Sequence, residues 1–182
     1  MSEDFPPTGA YDNIWAPWRM EYLDGLGDES TSGCFLCAAR DEPARDEAND
    51  VLFRGEHCLT MLNRFPYTGG HCLIAPYEHV GSMAALSPEA LTEMMELLRD
   101  LQAAIRKAIH AEGFNVGFNI GRCAGAGLPD HIHGHLVPRW EGDTNFMQVL
   151  GNVRVIPEFL AATRQKLLAA ARELSLPTLR VE

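Results

Sequence analysis

One long amphipathic segment, residues 87–113, constrains the fold of this chain more than any other feature. Apolar residues recur in it at three- and four-residue steps: Leu91, Met94, Met95, Leu98, Leu101, Ile105 and Ile109. This spacing predicts a helix with one apolar stripe, with Ser87 as its N-cap, Pro88 at the first helical position and Gly113 as its stop. A stripe of this length requires an apolar partner, and we expect it to lie on a β-sheet.

Short apolar runs on both sides of this segment predict the strands of that sheet. Three runs precede it: VLFR (51–54), CLTML (58–62) and HCLIAP (71–76). Two alternating runs follow it, separated by the glycine-rich loop GRCAGAGLPD: FNVGFNI (114–120) and HIHGHLV (131–137). A second helix is expected from Pro157 to about Leu174. The pattern predicts an α+β fold with a mainly antiparallel sheet, one long inserted helix and a C-terminal helix.

Length and composition limit the domain organisation and the partners. The 182 residues, 46% of them hydrophobic, predict a single domain over residues 14–182, preceded by a flexible tail at 1–13. The N-terminal sequence does not resemble a signal peptide, and no apolar run approaches the roughly 18 residues of a membrane span. We therefore expect a cytoplasmic protein. Its formal charge of −10 disfavours nucleic acid as a partner but allows a small anionic ligand in a pocket of backbone amides.

Three of the seven histidines occupy alternate positions, His131, His133 and His135. In an extended strand these side chains share one face. The outer two backbones lie about 13 Å apart, whereas zinc accepts a nitrogen at about 2.0 Å, so we do not expect one metal to bind all three, although a neighbouring pair could share one. A chance cluster on a polar strand face is the alternative. After a glycine-rich loop, whose amides can approach phosphate, a neutral imidazole is suited to attack on phosphorus.

At these residues the chain resembles the histidine triad (HIT) family. The signature of that family is His-x-His-x-His followed by two apolar residues, here residues 131–137. Longer segments are similar to its bacterial branch of diadenosine polyphosphate phosphorylases and hydrolases: IWAPWRMEYL, CFLC, LNRFPYTGGHCLIAPYEH and NIGRCAGAGLPDHIHGHLVPRWEGDTNFM. The resemblance implies a HIT-like fold, a nucleotide substrate and a homodimer in which two sheets join.

The resemblance also assigns roles around the triad. His133 is the nucleophile, which forms a covalent nucleotidyl-histidine. His135 hydrogen-bonds the phosphate or the leaving oxygen, and its backbone carbonyl holds the far nitrogen of His133. The amides of Gly127 and Leu128, with the side chain of Asn119, bind the α-phosphate. Leu128 stands where several family members carry a hydroxyl residue.

Other positions have both a functional and a structural interpretation. By resemblance Asn63 holds the ribose hydroxyls, although asparagine is also common in turns. Phe35 flanks the base, with simple core packing as the alternative. Arg64, Arg122 and Arg139 are candidates for neutralising the remaining phosphates, and solvated surface positions are the alternative for each.

Cys34 and Cys37 have the spacing of two thiolate ligands from one turn, which is half of a metal site. By resemblance, His79 and His131 complete a closed structural zinc site. Two neighbouring free thiols are the alternative. The remaining cysteines have no comparable partner spacing and are expected in the core or in loops: Cys58, Cys72 and Cys123. We expect no organic cofactor.

The resemblance favours phosphorolysis of diadenosine tetraphosphate to ADP and ATP. Hydrolysis of diadenosine polyphosphates or of nucleoside phosphoramidates is an alternative, as is a nucleotide-binding regulator with negligible turnover. A purely metal-dependent hydrolase is disfavoured by the spacing of the triad.

Overall fold

The computed structural model describes residues 33–144, 156 and 158–180. The predicted tail at 1–13, the aromatic segment IWAPWRMEYL and the predicted helix start at Pro157 lie outside these residues. The helices are α1 (Phe35–Asp41), α2 (Pro88–Ile109) and α3 (Leu160–Leu174). The strands are β1 (Val51–Arg54), β2 (Cys58–Leu62), β3 (Cys72–Pro76), β4 (Gly113–Phe118) and β5 (Gly134–Arg139).

The five strands form one sheet in the order β1-β2-β3-β5-β4, and each neighbouring pair is antiparallel. Strand β5 lies between β3 and β4, so α2 and β4 are inserted between two strands that are neighbours in space. The predicted α+β fold, with an antiparallel sheet, a long inserted helix and a C-terminal helix, is confirmed.

Helices α2 and α3 cover one face of the sheet. Their apolar side chains and those of the central strands form the larger core, which includes Cys72, Ile74, Leu97, Leu101, Ile105, Leu136 and Leu167. Burial on this scale explains why the α2 stripe is long, since apolar area removed from water is the main stabilising contribution to folding.

The opposite face carries a smaller core and positions the triad. Leu59, Leu73 and Ala75 pack there with Leu36 of the short helix α1. His135 pairs with Leu73 in the register of β3 and β5, and directly paired residues share a face. His135 therefore lies on the face turned away from α2.

Two details of the predicted α2 helix are wrong. The helix ends at Ile109, with His110 as a left-handed C-cap at φ 55°, and Gly113 instead begins β4. Histidine is one of the residues that tolerate this backbone region, so a glycine is not required there. Met95 is 58% exposed, because the buried face of the helix is centred on Met94, Leu97 and Leu101 rather than on the next position around the helix.

The triad strand also starts later than predicted. Strand β5 begins at Gly134, so His131 and His133 precede it. The backbone there is held by a different element: the Ile132 amide donates to the Val80 carbonyl at 2.7 Å, in the loop after β3. The first two histidines are therefore positioned by a loop contact and the third by the sheet.

Two substitutions in α2 distinguish its buried face from its exposed one. We expect Leu98→Ala, at a position that is 2% exposed, to lower the free energy of unfolding by about 2–5 kcal/mol. Met95→Ala should change it by about 0.5 kcal/mol or less. Urea titrations followed by circular dichroism measure both values, and equal losses would contradict the assignment of the two faces.

Candidate functional site

The central histidine is held in one protonation pattern by the backbone. His133 is 6% exposed, and its Nδ1 lies 2.9 Å from the carbonyl oxygen of His131. A carbonyl only accepts, so Nδ1 carries the proton and the lone pair lies on Nε2. Burial lowers the pKa of His133, which favours this neutral form.

The backbone acceptor for His133 differs from the one expected. The carbonyl of His135 was predicted in this role, but the carbonyl of His131 fills it. His135 lies within β5, where its backbone pairs with Leu73 on one side and Gly117 on the other. His131 lies outside the strand, and its carbonyl is therefore available to the ring two residues later.

His135 is surrounded by polar and aromatic side chains. Its Nδ1 lies 3.0 Å from Nε2 of His71, and its Nε2 lies 3.5 Å from Nδ2 of Asn119. The ring of Tyr67 stacks on it at 6.0 Å between centroids and 15° between planes. Burial, with a smaller contribution from His133, lowers the pKa of His135 to about 4. His135 is therefore a neutral hydrogen-bonding group at neutral pH.

A cavity of about 440 Å³ opens beside His135. Polar side chains of β4, of the β2–β3 loop and of the segments after β4 and β5 line it, including Thr68, Asn115, Asn119 and Thr144. Its volume is in the range of small-molecule sites.

The glycine-rich loop lies next to the triad. Gly121 and Gly125 have φ of 82° and 83°, values that favour glycine, and a short 3₁₀ turn joins them. The His131 amide approaches the Leu128 carbonyl at 3.4 Å, and the Leu128 side chain packs against the smaller core. Gly127 is exposed. Of the three predicted phosphate ligands, Asn119 is the one whose side chain contacts a triad histidine.

Asn63 and Phe35 have clear local environments. The Oδ1 of Asn63 accepts the Phe65 amide at 2.9 Å, and its Nδ2 lies 3.3 Å from Nδ1 of His71. Asn63 thus makes the turn contact that is the structural alternative to ribose binding. Phe35 is 47% exposed at the start of α1, so it is not a core residue.

The three candidate arginines differ in how their charge is balanced. Arg139 forms a bidentate pair with Asp143 at 2.6 and 2.7 Å, so its charge is already compensated. Arg64 donates to the Ala48 carbonyl at 3.1 Å and forms an ion pair with Asp50 at 3.4 Å, and Arg122 is exposed in the glycine-rich loop.

Two cysteines and two histidines converge at the end of the triad that faces α1. The ligand atoms of Cys34, Cys37, His79 and His131 all lie within 4.8 Å of one another. His131 Nδ1 is 3.1 Å from Cys34 Sγ and 3.2 Å from His79 Nδ1, while Cys37 Sγ is 3.2 Å from His79 Nδ1. The four predicted ligands therefore form one cluster that could hold a metal ion.

The geometry and chemistry of this cluster fit a tetrahedral metal. With metal–sulfur bonds of about 2.3 Å and metal–nitrogen bonds of about 2.0 Å, the ligand atoms of a tetrahedral site lie about 3.3–3.8 Å apart. The Nε2 of His131 lies 2.9 Å from the Pro76 carbonyl and donates to it, which leaves Nδ1 as the ligand. Burial and the neighbouring Cys34 raise the pKa of the Cys37 thiol, so a cation is needed to stabilise two thiolates there.

Glycine permits a close approach between the loop after β3 and the glycine-rich loop. A Cβ on Gly81 would lie 2.5 Å from the carbonyl oxygen of Pro129. Any side chain at this position would separate the segment that carries His79 from the segment that carries the triad.

Sequence reasoning missed His71 and Tyr67. His71 is completely buried, and its ring contacts both Tyr67 and His135. A signal was present, because His71 begins the apolar run of β3, and a histidine within such a run requires a polar partner.

Residues 44–142 match the HIT domain. The chain belongs to the HIT family. This confirms the resemblance predicted from the triad and the segments around it.

Relatives within the HIT family include named enzymes. A protein of Mycobacterium tuberculosis named AP-4-A phosphorylase is 35% identical over 158 residues, 85% of this chain and 81% of its own length. The Schizosaccharomyces pombe bis(5'-nucleosyl)-tetraphosphatase (asymmetrical) is 32% identical over 52% of each chain. Both names describe nucleotide-processing enzymes, in agreement with the role expected for a HIT protein.

The fold is similar to that of another histidine triad protein. The crystal structure of a Zn-bound histidine triad family protein from Mycobacterium smegmatis superposes with a TM-score of 0.65 at 29% identity, covering 79% of this chain and 96% of that one.

Among the described residues, no helix combines the length and the apolar character that crossing a membrane requires.

Proposed function

We propose that this HIT protein transfers a nucleotidyl group through His133 and that its reaction is phosphorolysis of diadenosine tetraphosphate to ADP and ATP. The observation that carries the proposal is the hydrogen bond from His133 Nδ1 to the His131 carbonyl, which leaves a lone pair on Nε2 of a neutral, buried ring. Such a ring is a nucleophile at physiological pH.

The reaction has two displacements. The Nε2 of His133 attacks the α-phosphorus, the P–O bond to the remaining phosphates breaks, and ATP leaves. An oxygen of inorganic phosphate then attacks the same phosphorus, and ADP is released as the bond to Nε2 breaks. His135, with Asn119 at 3.5 Å, lies where it can donate hydrogen bonds to phosphoryl oxygens in both steps.

The remaining nucleotide contacts are part of the same proposal. The amides of Gly127 and Leu128 bind the α-phosphate, and Phe35, which is 47% exposed, stacks against the base. Asn63 holds the ribose. In the complex its side-chain oxygen accepts from the sugar hydroxyls instead of from the Phe65 amide. His131 supports the site through the backbone rather than by touching the nucleotide.

The acceptor distinguishes two candidate reactions. The relative named AP-4-A phosphorylase aligns over most of both chains and supports phosphate as the acceptor. The relative named tetraphosphatase aligns over about half of each chain and favours water as the alternative. Formation of the nucleotidyl-histidine is common to both.

We expect His133→Asn to lower turnover of diadenosine tetraphosphate by roughly 1,000-fold or more, because it removes the attacking nitrogen. Quenched reactions of the wild type should contain an acid-labile adduct of adenylyl mass on His133, seen by mass spectrometry. His110→Asn is the matched control, since His110 is an exposed C-cap residue in a conformation that asparagine tolerates, and it should keep full activity.

Product analysis separates the two acceptors. ADP that appears only when phosphate is added supports phosphorolysis, whereas AMP formed equally with and without phosphate means hydrolysis. Binding of the substrate without either product would identify a regulator instead of an enzyme.

We further propose that the four-residue cluster binds a structural zinc ion. The donor set of two thiolates and two imidazoles is the closed tetrahedral type that zinc prefers, and bound zinc would join α1 to the triad segment. A zinc-bound HIT structure from Mycobacterium smegmatis supports the choice of metal.

Metal analysis by inductively coupled plasma mass spectrometry should find about one zinc per chain. Cys37→Ser should abolish this content and lower the melting temperature, because a thiolate ligand is lost. Cys123→Ser, which alters an exposed cysteine outside the cluster, is the control and should keep the metal. Equal zinc in both variants would contradict the site.

We also propose a homodimer in which the β4 strands of two copies pair. Strand β4 is an edge strand with Asn115, Val116 and Gly117 exposed. At the other edge, Arg164 donates to the Val51 carbonyl of β1 at 3.2 Å. An open edge with an exposed apolar residue is suited to pairing with another strand.

Light scattering during gel filtration should give about twice the chain mass of 20.1 kDa. Val116→Lys should shift the protein toward the monomer, because a charge on an edge strand opposes pairing. Leu174→Lys introduces the same charge at an exposed position of α3 and should not alter the mass. A wild-type monomer, or a Val116→Lys dimer as stable as the wild type, would contradict the proposal.

A further inference from the structure

A fourth histidine, His71, contacts His135, the third histidine of the triad. His71 immediately precedes β3 and has no solvent exposure. Its Nδ1 lies 3.2 Å from the backbone nitrogen of Tyr67, and its Nε2 lies 3.0 Å from Nδ1 of His135. Both ring nitrogens are thus used in hydrogen bonds.

The direction of these bonds follows from the backbone donor. The Tyr67 N–H can only donate, so Nδ1 of His71 accepts. The Nδ2 of Asn63, 3.3 Å from the same nitrogen, is also a donor. A neutral imidazole that accepts at Nδ1 carries its proton on Nε2. His71 therefore donates to His135, and Nδ1 of His135 must be an acceptor.

We propose that His71 is a positioning residue that sets the tautomer and ring orientation of His135, so that His135 presents an N–H at Nε2 to the phosphates of the substrate. The inference deepens the proposed nucleotidyl transfer and rests on it for its catalytic consequence. The opposite tautomer would present a lone pair to a phosphoryl oxygen, which repels it.

The other ring nitrogen of His135 faces a second donor. The Nε2 of His135 lies 3.5 Å from Nδ2 of Asn119, at the rim of the cavity. In the assigned tautomer both groups are donors and do not bond each other, so an anionic oxygen between them could accept from both.

Tyr67 contacts both His71 and His135 and helps to orient them. Its backbone amide bonds His71, while its ring packs against His71 at 4.6 Å and stacks on His135 at 6.0 Å. The loop between β2 and β3 thereby restricts rotation of both imidazoles. Precise orientation of a donor has a large effect on rate, because misplacement by about 1 Å can cost about 100-fold.

The hydrogen bond can be detected directly in the full-length wild-type protein without nucleotide. With ¹⁵N-labelled histidine, NMR should show the His135 proton on Nε2 and a scalar coupling across the hydrogen bond between His71 Nε2 and His135 Nδ1. A His135 proton found on Nδ1, or the absence of this coupling in spectra that resolve both rings, would overturn the proposal. This measurement requires neither a variant nor activity.

Two variants of similar size test the effect on catalysis. His71→Gln keeps an N–H that can reach His135, whereas His71→Met fills the space without a donor. We expect His71→Met to lower kcat by about 10- to 100-fold with KM changed by no more than about 3-fold, and His71→Gln to retain kcat within about 5-fold of the wild type. Equal losses in two folded variants, or no loss in either, would overturn the positioning role.

The outcomes separate this proposal from the proposed function. If the wild type shows the coupling but does not cleave diadenosine tetraphosphate, the proposed function fails while the His71–His135 hydrogen bond stands. If the wild type cleaves the substrate but lacks the coupling, the positioning role fails alone.

Discussion

The buried ring of His131 is the contact on which the rest of the site depends. One ring nitrogen bonds the Pro76 carbonyl at the end of β3, and the other lies within the cluster of Cys34, Cys37 and His79. The backbone carbonyl of the same residue accepts a hydrogen bond from the protonated Nδ1 of His133. One residue therefore links the sheet, the candidate metal centre and His133, the proposed nucleophile.

The triad works with neutral groups rather than with charges. Burial lowers the pKa of all three histidines, so the site is organised by the direction of its hydrogen bonds. A backbone carbonyl fixes the proton of His133, and a backbone amide acting through His71 fixes that of His135. Both assignments originate in main-chain groups, whose donor or acceptor character cannot change.

Periodicity was sufficient to predict the sheet and the long helix, since the core faces of β2, β3 and α2 have strong patterns. It failed at Met95 and Gly113, where the exact face and the capping residue depend on tertiary packing. The metal cluster was predictable because the Cys34–Cys37 spacing is local and the resemblance identified its partners. The contact between His71 and His135 depends on the register of β3 against β5, which alternation within each strand does not specify.

The His133 ring bonds a main-chain oxygen of His131, so the contact that orients the proposed nucleophile does not depend on the side chain that supplies a candidate metal ligand. A substitution of the His131 side chain removes a candidate metal ligand, but it leaves the carbonyl in place wherever the path of residues 129–134 is kept. Loss of metal binding at this cluster therefore need not change the tautomer of His133, because the carbonyl belongs to the main chain and the candidate ligand to the side chain.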